Sequence, residues 1–280
     1  MHMDSENWQT FGHENIKQLL NLQLQNGKLS HAYLLSGPQG VGKKNVALEF
    51  AGKILGNMNP LRHPDFSILD VPNVPSLEQV QQFMSGISLK PFSASHKVAI
   101  INHAEQLNIQ SCNALLKTLE EPSGSTILIL LASHKNLLPT VLSRCQIFSF
   151  TSFSQKQMRA YAAQKNIAVT DRLLQLSFGR PERLDHLHAK GLAQDDAEIK
   201  KFIALEQMPR LERLAELGEL AEAETEDVTS RLLLWALWQT EQLRTDTLKF
   251  RSVRAIAEAL EALGKNQNKK LILQQLLLKL

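Results

Sequence analysis

The sequence predicts an α/β fold, in which helices cover both faces of a parallel sheet, followed by a second half that is entirely helical. Three observations support this prediction. Through residue 150, short apolar runs alternate with segments of helical spacing. A glycine-rich stretch from Gly37 to Gly42 directly follows the first apolar run and precedes a helical segment. After about Thr151 the strand-like runs stop.

Five short apolar runs are predicted to be strands, and three segments between them are predicted to be helices. The strands are Ala32–Ser36, Phe66–Asp70, Lys97–Ile101, Thr126–Leu131 and Gln146–Phe150. The helices are Val46–Leu55, Ser76–Leu89 and Ser111–Leu119. Ser76, with Gln79 three residues later, predicts a capping box at the start of the second helix. Pro122 is expected to end the third helix.

The second half is predicted to contain helices only. Three short helices begin near Ser154, Thr170 and Pro181, the first with a capping box that includes Gln157. A left-handed residue is expected at Gly179. Four further helical segments are predicted at 197–219, 227–248, 253–263 and 269–280. We therefore predict a core domain at 1–150, a three-helix lid at 151–191 and a third, helical domain at 192–280.

Composition limits the class of protein. The chain has 280 residues, of which 43% are hydrophobic, and a net charge of +3. This charge permits contact with nucleic acid but is too small to argue for it. Two cysteines, Cys112 and Cys145, are too few for a disulfide framework or a four-thiolate zinc site, and they fit a reducing cytoplasm. Since no run of about 18 apolar residues indicates a membrane span, we expect a cytoplasmic protein without membrane contact.

The stretch from Gly37 to Lys44 matches a phosphate-binding loop except at its last residue. Gly37, Gly40 and Gly42 allow backbone N–H groups to turn toward phosphate, and Lys43 is placed to reach the outer phosphates. The pattern then requires Ser or Thr, because that hydroxyl binds Mg²⁺, whereas the chain has Lys44. We expect weak ATP or ADP binding at most, with no required cofactor. The alternative is a glycine-rich turn without any ligand.

A second departure follows the third predicted strand, where a magnesium-binding Asp and a water-activating Glu are expected after a phosphate loop. The residues there are Asn102 and His103, and Glu105 comes two positions too late. We interpret His103 as a loop residue, with a role as a catalytic base as the alternative. Because both metal contacts are weakened and Lys44 adds a positive charge, we predict no metal site.

Four segments together resemble the delta-prime subunits of the bacterial DNA polymerase III clamp loader, a family of AAA+ proteins. They are His31-Ala32-Tyr33, His63-Pro64-Asp65-Phe66, the run from Asn113 to Pro122, and Leu142-Ser143-Arg144-Cys145. The resemblance covers about residues 10–190. It implies an AAA+ P-loop core, a small lid and a C-terminal helical collar. It also implies a ring with delta and gamma or tau subunits that places the sliding clamp (beta) on primer–template DNA.

The resemblance assigns a role to the Ser-Arg-Cys triplet. In this family its arginine enters the ATP site of a neighbouring subunit, which implies that Arg144 is an arginine finger acting in trans. The alternative is a surface arginine that pairs with a local carboxylate.

The chain also departs from the family pattern. The four-cysteine zinc module of many relatives is absent, so no zinc is expected. Glu182 falls where active members carry an arginine that touches nucleotide, with Arg180 or Arg183 as candidate substitutes. Ser133 or His134 follows the fourth strand, where a γ-phosphate sensor is usual.

These observations favour an ATPase-defective structural subunit over two alternatives, an active ATPase of the gamma type and a DNA-binding AAA+ adaptor. Two features of the helical domain remain open at this stage. Trp235 and Trp238 are suited either to the core of this domain or to packing on partner helices. The last segment, 269–280, is apolar nearly all round, which predicts burial of more than one face.

Overall fold

The structure, a computed structural model, describes residues 8–71, 74–121, 125–133, 137–190, 193–242, 250–264 and 267–280. The chain forms two compact units, Met1–His186 and Leu187–Leu280. The first unit contains the sheet, and the second is helical. The division of the first unit into a core and a lid at residue 150 stays a prediction, and the predicted boundary at 191 and 192 lies outside the described residues.

The first unit is built on a parallel sheet of five strands in the order β2-β3-β4-β1-β5. The strands are β1 (Ala32–Ser36), β2 (Phe66–Leu69), β3 (Lys97–Ile101), β4 (Thr126–Ala132) and β5 (Gln146–Ser149). Ala32 pairs with Leu128 and Tyr33 pairs with Gln146, so β1 lies between β4 and β5. The predicted fold class is confirmed, and each predicted strand is found within one residue of its predicted bounds.

Both faces of the sheet are covered, which explains why its central strands are apolar without alternation. Leu34 belongs to one hydrophobic cluster, together with Val80. Tyr33 and Leu35, on either side of Leu34 in the strand, belong to the cluster on the other face, together with Phe50. Because successive β1 side chains enter different clusters, the two cores together fix the register of this strand.

Helices of the first unit cover the sheet and extend beyond it. They are α1 (Glu14–Gln25), α2 (Lys43–Leu55), α3 (Leu77–Ile87), α4 (Ile109–Glu120), α5 (Pro139–Leu142), α6 (Gln155–Gln164), α7 (Asp171–Leu176) and α8 (Pro181–Lys190), of which the residues after His186 belong to the second unit. Helix α1 was not predicted from the sequence. Both predicted capping boxes, at Ser76 and Ser154, are formed, and Gly179 has the expected left-handed φ of 68°. The predicted helix stop at Pro122 lies outside the described residues.

The second unit is a helical bundle whose first predicted helix is interrupted. Its helices are α9 (Ala193–Gln207), α10 (Arg210–Arg213), α11 (Leu217–Glu222), α12 (Thr225–Gln242), α13 (Phe250–Gly264) and α14 (Lys269–Lys279). The prediction of one helix over 197–219 was wrong, because Pro209 restricts the residue before it and cannot continue the helical hydrogen bonds. Buried Arg213 closes the break by donating to the carbonyl oxygens of Met208 at 3.0 Å and Glu206 at 2.8 Å. The predicted end of the segment 227–248 lies outside the described residues.

The tryptophan pair packs inside the second unit. Trp235 is 1% exposed and stacks on Phe202 at a centroid distance of 4.7 Å, and Trp238 contacts the same ring edge-on at 5.9 Å. Helix α14 buries one broad face, which includes Leu273, whereas Leu271 is 53% exposed. None of the described residues buries the face of α14 that carries Leu271, so the expected burial of a second face is not observed there. Among the residues described, no helix is long and apolar enough to cross a lipid bilayer.

Asp65 anchors the loop that leads into β3. Its buried carboxylate accepts hydrogen bonds from the backbone N–H groups of Phe92, Ser93 and Ala94 at 2.5, 2.8 and 2.8 Å. Burial alone would raise the pKa of Asp65, but these hydrogen bonds and the Ser93 hydroxyl lower it to about 2. His63 Nδ1 accepts from the backbone N–H of Asp65 at 3.1 Å. The His-Pro-Asp segment noted in the sequence is thus a structural anchor between two loops.

We expect Asp65→Asn to lower the free energy of unfolding at pH 7 by about 1–3 kcal/mol, because the amide replaces an acceptor that serves three backbone donors. Since the pKa of the folded state is depressed, the stabilisation is fully present above about pH 4 and is lost as the pH falls toward 2. The difference between wild type and variant should shrink over that range in urea unfolding followed by circular dichroism.

Asp171→Asn provides the matched control. Asp171 is an exposed carboxylate that pairs with Arg159, and its replacement should cost less than about 1 kcal/mol. Equal losses for the two variants would contradict the anchoring role of Asp65.

Candidate functional site

The glycine-rich loop joins β1 to α2 with the backbone geometry that its glycines predict. Gly37, Gly40 and Gly42 have φ values of 153°, 76° and 96°, which favour glycine. A β-carbon on Gly37 would lie 2.3 Å from the carbonyl oxygen of Phe150. The loop is therefore packed directly against the chain that leaves β5.

Lys43 turns its ammonium into the loop. Its Nζ donates hydrogen bonds to the carbonyl oxygens of Gly37 at 2.6 Å and Pro38 at 2.8 Å. The residue is 8% exposed. A phosphate that binds this ammonium has to replace these hydrogen bonds with its own.

Lys44 lies beside the ends of two neighbouring strands. Its Nζ is 2.5 Å from Oδ2 of Asp70, which directly follows β2. Oδ1 of Asp70 accepts from the side-chain amide of Asn102, directly after β3, at 2.8 Å. Partial burial alone would raise the pKa of Asp70, but the hydrogen bonds from Lys44 and Asn102 outweigh it and hold the pKa below its ordinary value.

These side chains do not fit a magnesium ion. The hydroxyl that binds Mg²⁺ at position 44 is replaced by an ammonium, and the carboxylate expected at position 102 is replaced by an amide. The remaining carboxylate, Asp70, already accepts a hydrogen bond on each oxygen. Sequence reasoning identified both departures but missed Asp70, because nothing in the local sequence marks it.

His103 and Glu105 form a second polar group at this edge of the sheet. His103 has a left-handed φ of 52°, and its Nδ1 is 3.9 Å from Glu105 Oε1. Burial alone would raise the pKa of Glu105, but the neighbouring polar groups of His103 and Ser133 outweigh it and lower the pKa. Both side chains are therefore engaged locally, in keeping with the interpretation of His103 as a loop residue. His134, the other candidate for a phosphate sensor, lies outside the described residues.

The first turn of α8 meets the loop and brings an acidic side chain to it. The backbone N–H of Glu182 donates to the carbonyl oxygen of Gly40 at 3.2 Å. Glu182 Oε2 lies 3.7 Å from the position of a β-carbon on Gly40. This carboxylate repels phosphate at a position where the family resemblance implies an arginine in active members.

The two arginines that were candidate substitutes are placed differently. Arg183 faces its own helices, because its Nε donates to the carbonyl oxygen of Leu176 at 2.6 Å and its guanidinium lies 5.1 Å from the ring centroid of Phe178. Arg180 approaches the loop, with its β-carbon 3.5 Å from the position of a β-carbon on Gly40.

A segment before α1, which sequence reasoning missed, borders the loop on another side. His13 Nε2 is 2.9 Å from the carbonyl oxygen of Val41, and the His13 ring contacts Phe150 and Phe153 at centroid distances of 4.5 and 4.7 Å. Burial lowers the pKa of His13.

A second contact joins this segment to α2. Glu49 of α2 accepts a hydrogen bond from the backbone N–H of Thr10 at 2.8 Å. No periodic or motif signal in the sequence marks these contacts.

Arg144 lies at the opposite edge of the sheet from the glycine-rich loop. It precedes β5, whose first residue pairs with Tyr33 near the start of β1, whereas the loop follows the end of β1. At about 3.3 Å per residue, roughly 13 Å of strand separates the two levels. Arg144 therefore has no access to the loop of its own chain.

Local contacts orient the Arg144 guanidinium. Nη1 donates to the carbonyl oxygen of Thr140 at 2.8 Å, and Nη2 is 2.9 Å from Glu120 Oε1 at the end of α4. The side chain remains 34% exposed, and that of Glu120 is 50% exposed. In the single chain Arg144 thus has the local carboxylate partner that the alternative interpretation expected.

A family model described as DNA polymerase III, delta subunit, matches residues 12–154. The DNA polymerase III subunit delta' of Pseudomonas aeruginosa is 29% identical over 194 residues, which cover 61% of this chain and 59% of the relative. The subunit delta' of Bacillus subtilis is 30% identical over 55% of this chain and 52% of its own length. The subunit tau of B. subtilis is 32% identical over 61% of this chain and 33% of its own length. The chain spans between about a third and three fifths of these relatives.

Solved structures agree on the fold. A DNA polymerase III gamma subunit-related protein of Thermotoga maritima superposes with a TM-score of 0.52 at 16% identity, over 92% of this chain and 97% of that chain. A single-residue variant of RuvB from T. maritima gives a TM-score of 0.53 at 19% identity, over 79% and 85% of the two chains. At this level of identity the likeness concerns the fold alone.

We expect Glu182→Gln to raise the affinity for ATP about two- to fivefold, because it removes a partly solvated negative charge next to the loop. The measurement is the fluorescence anisotropy of a labelled ATP analogue titrated with protein. The control is Glu121→Gln, since Glu121 follows α4 at the opposite end of the sheet and should leave the affinity unchanged. No gain for Glu182→Gln would show that its charge does not act on the loop.

Proposed function

The chain belongs to the DNA polymerase III delta-subunit family, and on this premise we propose that it is a clamp-loader subunit of the delta-prime type. In this role it is an ATPase-defective ring member that contributes an arginine to the ATP site of a neighbouring subunit. Delta and gamma or tau subunits are its direct partners. The sliding clamp (beta) and primer–template DNA are partners of the assembled loader, which works with the polymerase.

The observation that carries this proposal is the placement of Arg144 relative to the chain's own loop. A partly exposed arginine at the amino edge of the sheet has no access to a phosphate bound at the carboxyl edge of the same sheet. It is accessible to a second subunit that approaches from that side. A planar guanidinium is suited to the charge that develops on a transferring phosphoryl group.

The contacts of Arg144 support this role. Its hydrogen bond to the Thr140 carbonyl and its ion pair with Glu120 restrict the side chain before a partner arrives. An exposed ion pair is worth at most about 1 kcal/mol, so a phosphate of the neighbour's nucleotide can replace the Glu120 carboxylate at little cost. The local pairing is therefore compatible with a role in trans.

The chain's own loop supports the ATPase-defective part of the proposal. Lys44 and Asn102 stand where metal-binding side chains are needed, and Glu182 adds a negative charge beside the loop. One observation favours the gamma-type ATPase as a second candidate, namely the 32% identity to subunit tau of B. subtilis. Magnesium-dependent ATP turnover by the isolated chain would distinguish this candidate from the first.

In a loader reconstituted with delta and gamma subunits, we expect Arg144→Ala to reduce the ATPase rate stimulated by clamp and primer–template at least about tenfold at the site it serves. Arg144→Lys should restore only part of the rate, because an ammonium keeps the charge but lacks the planar fork of donors. The measurement is steady-state phosphate release.

Arg159→Ala is the control, because Arg159 is an exposed arginine that pairs with Asp171 in the same unit and has no proposed role at a neighbouring site. Native mass measurement checks that every variant enters the ring. A fully assembled Arg144→Ala loader with an unchanged stimulated rate would exclude the finger role.

A further inference from the structure

The contact between Lys44, Asp70 and Asn102 has the arrangement of a cation site whose cation is part of the protein. We propose that the Lys44 ammonium is the resident cation of this cleft, that Asp70 is its ligand, and that Asn102 is the neutral neighbour which this cation requires. This inference goes beyond the proposed role in the ring and does not depend on it.

Three separate elements bring the groups together. Lys44 lies in the first turn of α2, immediately after the glycine-rich loop, while Asp70 and Asn102 follow the adjacent strands β2 and β3. The backbone N–H of Asn102 donates to the carbonyl oxygen of Leu69 at 2.9 Å, so the pairing of these strands continues up to the site. The carboxylate therefore has a fixed position between the two donors.

Each oxygen of Asp70 has its own donor. Oδ2 is 2.5 Å from the Lys44 ammonium, and Oδ1 is 2.8 Å from the Asn102 amide nitrogen. A divalent cation that binds Asp70 has to displace Lys44 from the carboxylate, and it then meets the positive charge of the displaced ammonium at close range.

The charges of the three groups explain why Lys44 and Asn102 both depart from the residues that bind Mg²⁺ in an active phosphate-loop protein. Lys44 contributes +1 and Asp70 contributes −1, and with the neutral Asn102 they sum to zero. An Asp at position 102 would place a second carboxylate within hydrogen-bond distance of the first, which requires a divalent cation or a shared proton. A single ammonium balances one carboxylate only. Lys44 and Asn102 are therefore one coupled change rather than two independent losses.

The pair is open to solvent, with side-chain exposures of 44% for Lys44 and 29% for Asp70. Its contribution to the overall stability is accordingly small. Its effect is local, since it decides which cation occupies this edge of the sheet. Substitutions at these positions are therefore compatible with a folded chain.

The coupled change is tested by reversing it. The double variant Lys44→Thr/Asn102→Asp introduces a hydroxyl and a second carboxylate beside Asp70, which are oxygen ligands of the kind that Mg²⁺ and Mn²⁺ prefer. We expect the double variant to bind Mn²⁺ at least about tenfold more tightly than wild type, measured by electron paramagnetic resonance of free Mn²⁺. Lys44→Thr alone should give a smaller gain, because it provides one carboxylate instead of two.

Adding Asp70→Asn to the double variant is the matched control and should abolish the gain. A folded double variant that binds Mn²⁺ no better than wild type would overturn the proposal. A gain that persists after Asp70→Asn would also overturn it, because the metal would then lie elsewhere.

A second measurement needs no new metal site and covers the case in which the double variant does not fold. In Lys44→Met, which keeps the length of the side chain without its charge, the pKa of Asp70 measured by carboxyl carbon NMR should rise by at least about half a unit. Lys44→Arg should leave it near the wild-type value. An unchanged pKa in Lys44→Met would contradict the proposed pairing, whatever the outcome of the Arg144 experiments.

Discussion

Parallel strand pairing with both faces buried is the constraint on which the rest of the structure depends. Parallel pairing places the carboxyl ends of all five strands at one edge and their amino ends at the other. The glycine-rich loop, Asp70 and Asn102 therefore meet at the carboxyl edge, although they are far apart in the sequence. Arg144 is carried to the amino edge by the same rule. Because two separate hydrophobic clusters fix the strand register, neither set of side chains can shift independently.

At the carboxyl edge, groups that serve nucleotide and metal in an active phosphate loop are engaged with the protein itself. The Lys43 ammonium binds carbonyl oxygens of its own loop, and the Lys44 ammonium binds Asp70. His13 and the backbone of Glu182 contact further carbonyl oxygens of the loop. These contacts support the shape of the loop. They are internal contacts that stabilise the scaffold at this edge of the sheet.

At the amino edge, by contrast, the charged side chain of Arg144 is partly exposed and has only a weak partner. Arg144 is oriented by a backbone carbonyl and by the exposed carboxylate of Glu120, a weak partner that a more strongly charged group can replace. The loop at one edge is engaged by its own lysine, and the arginine at the other edge is partly exposed and oriented, which is the arrangement that the proposed role in trans requires. Membership in the DNA polymerase III delta-subunit family and the proposed ring function agree with this division between the two edges.

The sequence by itself determined the fold class, the five strands, both capping boxes and the two departures at positions 44 and 102, because these depend on short-range periodicity and local hydrogen bonding. It also contained Pro209, whose effect on the helix predicted over 197–219 was overlooked. Only the tertiary structure decided the partners of the charged side chains. Lys44 and Asp70 are 26 residues apart, Asn102 and Asp70 are 32 apart, and Glu49 binds a backbone 39 residues away. Such pairs form because the sheet topology brings the ends of strands and helices together. Short-range sequence patterns do not predict these long-range contacts.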